Sequence, residues 1–143
     1  MLRSFVVAAA LAPFVFVSGL SAQATPLTPG SPVAGSLQAG DTVAYTVRAG
    51  DDYVVRGAVD QLSVDVIVRI LNPAGQMVSS IDGPAEGPEH FQFETDAEGD
   101  WLIQVIPFEE GSGEYSIAID LLEPVATDPR ELADQLLSAY DRE

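Results

Sequence analysis

Two short alternating runs decide the fold: TVAYTV at residues 42–47 and YVVRGAV at residues 53–59, separated by RAGDD. Val43, Tyr45 and Val47 fall on one side of the first run, and Tyr53, Val55 and Val59 share a side in the second. A period of two is what a β-strand with one buried face requires. Gly and Asp between the runs favour a turn. These residues therefore predict two β-strands joined by a turn.

The same period recurs along most of the chain, in further runs at residues 64–71, 91–94, 101–105 and 115–121. Clusters of Gly, Pro, Asn and Asp separate the runs, and no helical period interrupts them. Short strands at this spacing favour an antiparallel sandwich or barrel. In the runs at 64–71, 101–105 and 115–121, the residues predicted to face inward are Val64, Val66, Val68, Ile70, Trp101, Ile103, Val105, Tyr115, Ile117, Ile119 and Leu121. Ile67 and Leu71 are predicted to point outward.

Both ends of the chain differ from the strand-rich middle. Residues 1–24 carry Arg3, an apolar run at 5–17 and Ala22-Gln23-Ala24, the pattern of a cleaved signal peptide. The run is short for a retained membrane anchor of about 20 residues. We therefore expect a secreted or periplasmic protein without a stable membrane anchor. An extended lead-in follows at 25–34, and the sandwich is predicted at 35–122.

The last segment, residues 123–143, is predicted to be a linker and an amphipathic helix at 128–141. Asp128 can cap the helix, Pro129 suits its first turn and Glu131 completes a capping box. One helix face would carry Leu132, Leu136, Leu137 and Tyr140. We expect this face to dock against a catalytic domain encoded after Glu143; the alternative is that it packs over an open edge of the sandwich.

The residue inventory excludes most enzyme mechanisms, because the chain has one His, no Cys and no Lys. It cannot supply a Cys nucleophile, a Cys-rich zinc site, a Schiff base or a Ser-x-x-Lys motif. A Ser-His-Asp triad would have to use His90, and no Ser lies in a nucleophile-elbow context. We predict that the chain has no catalytic residues and is not itself an enzyme. Only a glycosidase that uses a carboxylate pair stays open.

The formal net charge of −16 makes nucleic acid and anionic lipid poor partners. Asp96, Glu98 and Asp100 alternate around Gly99 and are the candidate calcium ligands, since Ca²⁺ prefers oxygen donors. A solvated acidic surface is the alternative, and no other cofactor is expected. There are two more acidic sets in the sequence: Asp51, Asp52, Asp60 and Asp65 form one, and Glu109 and Glu110 form the other. Trp101 could either pack in the core or stack on a sugar.

Several motifs occur in the order that is typical of one bacterial family. The stretch AGDTVAYTVRAGDDYVV at 39–55 is followed by Asp65 and VIVRILNPAG at 66–75. Gly99-Asp100-Trp101 and the run GEYSIAI at 113–119 complete the series. The chain resembles the bacterial pre-peptidase C-terminal domain. The resemblance implies a jelly-roll-like β-sandwich that accompanies a secreted hydrolase, sometimes binding calcium or a polymeric substrate, with no catalytic residue of its own.

The tail ELADQLLSAYDRE at 131–143 looks like the lead-in to a β-lactamase-like serine hydrolase. We therefore expect a non-catalytic accessory module of a secreted hydrolase, in a chain that continues beyond Glu143. Such a module would aid stability, secretion or the binding of a polymeric or small-molecule ligand. The alternative is a stand-alone, calcium-dependent β-sandwich that binds a polysaccharide or another ligand.

Overall fold

The structure is a computed structural model that describes residues 23–126 and 129–140. The predicted signal peptide, apart from its last two positions, lies outside the described residues. Within them the chain forms nine strands and one helix: β1 (Thr25–Pro26), β2 (Val33–Leu37), β3 (Val43–Ala49), β4 (Tyr53–Gln61), β5 (Val66–Leu71), β6 (Met77–Ile81), β7 (Gly87–Glu94), β8 (Gly99–Pro107), β9 (Gly113–Pro124) and α1 (Pro129–Tyr140).

The strands form two sheets that pack as a sandwich, which confirms the predicted all-β class. The first sheet has the order β1-β3-β8-β5-β6, and the second has the order β2-β9-β4-β7. Neighbouring strands are antiparallel except for β1, which pairs with β3 in parallel. Strands adjacent in sequence, such as β3 and β4, lie in different sheets, except for β5 and β6, which pair with each other. The turn at residues 50–52 therefore carries the chain from one sheet to the other.

The core lies between the sheets and consists mainly of residues that the alternation predicted, joined by Leu27, Leu37 and Ala49. Val66, Val68, Ile103 and Ile117 are among the residues with no exposed surface. Trp101 is buried and stacks on Phe93, with ring centroids 5.3 Å apart. It packs in the core, as one of the two alternatives predicted, and does not present its ring to a sugar.

A tyrosine pair joins the two sheets inside this core. The hydroxyls of Tyr45 and Tyr115 form a buried hydrogen bond of 2.5 Å, and the rings meet edge to face. Burial and the hydrogen bond to Tyr45 raise the pKa of Tyr115 above its ordinary value. A Cβ at Gly35 would collide with the Tyr115 ring, so this position of β2 needs glycine.

Three strands lie where the alternation gave no signal. β1 and the start of β2 fall in the predicted lead-in, and β6 follows the turn at 72–76. They lie at sheet edges, where one side pairs and the other faces solvent. Met77 and Val78 of β6 are 60% and 49% exposed, so this strand shows no burial period.

One predicted core residue is wrong. Leu121 was placed inward with Ile119, but the register between β4 and β9 shifts between Arg56 and Gly57. Ile119 faces Gly57 while Leu121 faces Arg56, so Asp120 is an extra residue in β9. This β-bulge reverses the alternation, and Leu122 packs against the core in place of Leu121.

Helix α1 follows the last strand. The Val125 N–H donates to the Asp52 carbonyl oxygen, which fixes the exit of the chain beside the turn between β3 and β4. Leu137 and Tyr140 are 67% and 81% exposed. The expectation that this helix docks against a further domain stays a prediction.

The outer faces of the two sheets differ. On the first sheet, Ile67 of β5 pairs with Ile106 of β8, and Leu71 pairs with Leu102, all four of them half-buried. On the second sheet the outward residues of β7 are polar or Pro and all exposed: Pro88, His90, Gln92 and Glu94. The outward aliphatic residues predicted for 64–71 thus belong to two aliphatic pairs on this face, with the polar pair Arg69–Gln104 between them.

Candidate functional site

Four connections meet at one end of the sandwich, which we call the acidic end: residues 38–42, 62–65, 82–86 and 108–112. The Phe108 N–H donates to the Asp65 carbonyl oxygen at 2.8 Å, which joins two of these connections, and the Ser63 N–H donates to the Glu114 carbonyl oxygen of β9 at 3.0 Å. The four connections contain no Arg or Lys, and their carboxylates are Asp41, Asp65, Asp82, Glu86, Glu109 and Glu110. Sets that are distant in sequence therefore converge here.

Gln61, the last residue of β4, organises this end. Its side chain is buried and donates from Nε2 to the carbonyl oxygens of Pro84 at 2.8 Å and Gly87 at 3.0 Å. Its Oε1 accepts from the Val66 N–H at 2.8 Å. One amide thus joins the end of β4, the start of β5 and the β6–β7 connection. The predicted strand at 53–59 ended before Gln61, and nothing in the sequence pattern marked this residue.

The adjoining β4–β5 connection is held against β9. The Glu114 N–H donates to Ser63 Oγ at 2.8 Å, beside the backbone bond from Ser63 to Glu114. A Cβ at Gly113 would collide with the Ser63 carbonyl oxygen, so this close approach needs glycine. These contacts therefore fix the position of the β4–β5 connection, which lines the cavity described next.

A cavity of about 450 Å³ opens between these connections. Residues 61–65 line one side, and Ala85 and Glu86 line the other. Asp65 is half-buried in this lining, and its Oδ1 has no hydrogen-bond partner. A carboxylate oxygen that is shielded from water and unpaired attracts a cation. The cavity is thus suited to a positively charged group.

Glu89, the third residue of β7, lies behind this cavity in the sandwich interior and is only 2% exposed. Its Oε2 has no hydrogen-bond partner. Burial raises the pKa of Glu89, the Gly83 backbone amide lowers it, and the charges of Asp82 and Asp65 raise it further. Together these influences raise the pKa of Glu89, so its surroundings favour the neutral form of this carboxyl.

The sequence interpretation missed Glu89, although the sequence contained a signal for it. Glu89, Phe91 and Phe93 share one phase of β7, and all three are buried. The alternating run was taken to begin at Phe91, which left Glu89 outside the strand. A carboxylate in phase with two buried aromatic residues indicates a buried acid.

The predicted calcium ligands lie at the opposite end, which we call the far end and which consists of connections 50–52, 72–76 and 95–98. Asp96, Glu98 and Asp100 are all exposed there. The Arg48 guanidinium lies 3.8 Å from Glu98 and 3.5 Å from Asp100. In the described ranges 23–126 and 129–140, no group of three Asp, Glu, His or Cys residues could hold a metal ion. The calcium site stays a prediction.

The remaining acidic set of the sequence does not assemble as one group. Asp51 and Asp52 lie at the far end, in the turn between β3 and β4. Asp65 lies at the acidic end, and Asp60 is on the part of β4 nearest to it. The two halves are separated by the length of a strand, so they cannot form one site.

The only histidine is exposed on β7, where its position pairs with Ala58. Ser79 and Ser80 lie on the edge strand β6, and Ser112 lies in the β8–β9 connection. Among the described residues, no helix is both long and apolar enough to cross a bilayer.

Comparisons with known proteins bear on the fold. No protein-family model matches the chain, and no curated protein sequence matches it. The pre-peptidase C-terminal domain of a collagenase from Bacillus anthracis is similar in structure, with a TM-score of 0.55 and 15% identity. The match covers 68% of this chain and 94% of that domain. The expected resemblance is therefore supported at the level of the fold.

A second similar structure is PliG from Aeromonas hydrophila, a periplasmic inhibitor of g-type lysozyme. Its TM-score is 0.52 at 18% identity, and the match covers 67% of this chain and 95% of PliG. PliG from Salmonella Typhimurium is also similar, with a TM-score of 0.49, 15% identity and coverage of 68% and 98%. Identities this low show a shared sandwich fold and no more.

Proposed function

We propose that the chain is a non-catalytic binding module that acts outside the cytoplasm and holds a cationic protein surface at its acidic end. The observation that carries this proposal is the cavity of about 450 Å³ beside Asp65 and Glu86, in connections without Arg or Lys. An Arg or Lys side chain from a partner would pair with the exposed Glu86 carboxylate, and the charge of Asp65 in the same lining would attract it.

In the first form of the proposal, the partner is the secreted hydrolase that the module accompanies. The fold shared with a collagenase accessory domain supports this form. Two aliphatic pairs on the outer face of the first sheet, Ile67–Ile106 and Leu71–Leu102, support it too, because half-buried aliphatic side chains are suited to packing against a second domain. The hydrolase domain would supply all of the chemistry.

In the second form, the module inhibits an enzyme that is not part of its own chain. The fold shared with a periplasmic inhibitor of g-type lysozyme supports this form. The acidic end supports it as well, since an inhibitor needs an exposed surface that a target can contact. Inhibition of g-type lysozyme by the purified protein, without turnover, separates the second form from the first.

The binding proposal is tested with an oligoarginine peptide as the cationic probe. The variant Asp65→Asn/Glu86→Gln removes two charges from the acidic end, and Asp51→Asn/Asp96→Asn removes two from the far end. We expect the first pair to weaken binding about tenfold, which is ~1.4 kcal/mol. The second pair should change it much less. Equal losses in both would show attraction to the net charge alone and would overturn the proposed site.

Absence of catalysis needs a separate experiment. The purified protein is screened for turnover of esters, peptides, β-lactams and glycans. We expect no turnover of any of the four substrate classes. A reaction that disappears when one acidic residue is replaced by its amide would contradict the proposal and favour the carboxylate-pair alternative.

A further inference from the structure

Glu89 is a carboxyl group that the fold buries without fully satisfying it. The side chain is 2% exposed, and Oε2 has no hydrogen-bond partner among the described residues. A buried carboxylate without a compensating partner is costly, and such groups take up a proton or a cation instead. No described cluster of metal ligands includes it. The proton is therefore the occupant that this position favours.

The charges that act on Glu89 come from the elements around it. Asp82 belongs to the β6–β7 connection and Asp65 to the β4–β5 connection, and both carboxylates repel an ionised Glu89. His90, the next residue on the same strand, lowers the pKa of Glu89. Burial is the largest influence and raises the pKa of Glu89. No Arg or Lys from the connections at this end is available to neutralise it.

The Glu89 carboxyl also supports the wall of the cavity. A Cβ added to Gly83 would lie 2.7 Å from Glu89 Oε2 and 2.8 Å from Oε1, so the connection at 82–86 lies directly against this group. The same connection contributes Ala85 and Glu86 to the cavity. An ionised Glu89 would keep the Gly83 amide as a donor but would need water at Oε2, which has no hydrogen-bond partner and against which the connection at 82–86 lies.

We propose that a proton on Glu89 closes the acidic end. With the proton, the connection at 82–86 rests on Glu89 and shapes the cavity; without it, the connection lifts and the cavity opens. This inference rests on the proposed function insofar as the acidic end is the binding surface. It adds that the binding surface changes shape with pH, through one buried carboxyl.

The sign of the pH dependence follows from linkage. The ordinary pKa of the group is 4.5, and the folded protein raises it. The neutral form therefore contributes stability that is fully present below pH 4.5 and is lost as the pH rises through the folded pKa. Each unit of elevation changes the ratio of folded to unfolded protein about tenfold above that pKa.

The direct experiment is a ¹³C NMR titration of the Glu89 side-chain carboxyl in the full chain. We expect its midpoint to lie above that of Glu94, an exposed residue of the same strand. The amides of Asp82, Gly83, Ala85 and Glu86 should shift with the same midpoint, and exchange of the Gln61 side-chain amide hydrogens, which donate to the carbonyl oxygens of Pro84 and Gly87, should accelerate above it. A Glu89 midpoint at or below that of Glu94, or amides that titrate independently of it, would overturn the proposal.

Two substitutions extend this experiment. Glu89→Gln mimics the neutral acid, so the amide shifts of residues 82–86 should lose the titration, and the variant should become more stable than the wild type as the pH rises. Glu94→Gln is the matched control and should keep the titration. If Glu89→Gln fails to fold, Asp65→Asn replaces it, and removing this neighbouring charge should lower the Glu89 midpoint. An unchanged midpoint there would contradict the proposed electrostatic cause.

The experiment distinguishes failure of the proton switch from failure of the binding function. If Glu89 titrates as an ordinary carboxyl but oligoarginine binding still depends on Asp65 and Glu86, only the switch is overturned. If Glu89 has a raised midpoint shared by residues 82–86 but oligoarginine binds both charge variants as it binds the wild type, the proton switch stands as a property of the fold. The proposed binding site is then overturned.

Discussion

The two ends of the sandwich differ in that, among the described residues, only the acidic end contains buried side-chain oxygens without a hydrogen-bond partner. At the far end, Thr95 Oγ1 accepts from the Tyr53 N–H at 2.8 Å and donates to the Gly50 carbonyl at 2.7 Å. At the acidic end, Glu89 Oε2 and Asp65 Oδ1 have no partner. Buried polar groups with hydrogen-bond partners stabilise a fold, whereas those without partners cost stability and are available to a ligand or proton. The far end is therefore structural, and the acidic end is the functional candidate.

The largest loss of stability is expected from a substitution in the core that both ends share. Val66 has no exposed surface, and its N–H donates to Gln61. Val66→Asp would bury an unpaired charge, which costs several kcal/mol, and should abolish folding. Loss of the β-type circular dichroism spectrum would show this. Ile67→Asp on the half-buried outer face is the control and should still fold.

The next effect tests the structural role of the far end. Thr95→Val keeps the shape of the side chain but leaves the Tyr53 N–H and the Gly50 carbonyl without this partner. We expect a loss of about 2 kcal/mol in the free energy of unfolding. Urea denaturation measures it, with the exposed Thr42→Val as the control. A loss no larger than that of the control would remove the contrast between the two ends.

At the acidic end the corresponding substitution should have the opposite sign. Above the raised pKa of Glu89, Glu89→Gln relieves a buried negative charge, so the protein should become more stable at neutral pH. Below pH 4.5 the two proteins should be equally stable. A variant that is less stable than the wild type at neutral pH would mean that the Glu89 carboxylate is satisfied in the fold.

The sandwich was predictable because its central strands alternate over a buried face, as at 42–47, 53–59 and 101–105. The edge strands were not, since a strand such as β6 has exposed Met77 and Val78 and thus no burial period. The β-bulge at Asp120 was also hidden, because an extra residue changes the phase without changing the composition.

The candidate site was less predictable than the fold. The sequence indicated that acidic sets could converge, but strand pairing decides which of them do. It separates Asp51 and Asp52 from Asp65, and it brings Asp82 and Glu86 to the same end as Asp65. Glu89 could have been found from its phase with Phe91, whereas the role of Gln61 depends on contacts between three segments.

The smallest effect concerns calcium at the far end. Binding at Asp96, Glu98 and Asp100 predicts a higher melting temperature in calcium than in chelator. The shift should be small because Arg48 lies close to two of the three carboxylates. Arg48→Ala should increase it, and magnesium controls for general screening. Identical melting temperatures in calcium and chelator, for both proteins, would remove this site.

The central claim is that the acidic end, and not the far end, contacts a cationic partner. The most direct measurement maps oligoarginine binding by backbone amide NMR at low salt, in the full chain. Our account predicts that shifts concentrate in residues 61–65 and 82–86 and disappear in Asp65→Asn/Glu86→Gln. Shifts that concentrate in residues 50–52 and 95–98, or that spread evenly over the acidic surface, would contradict it.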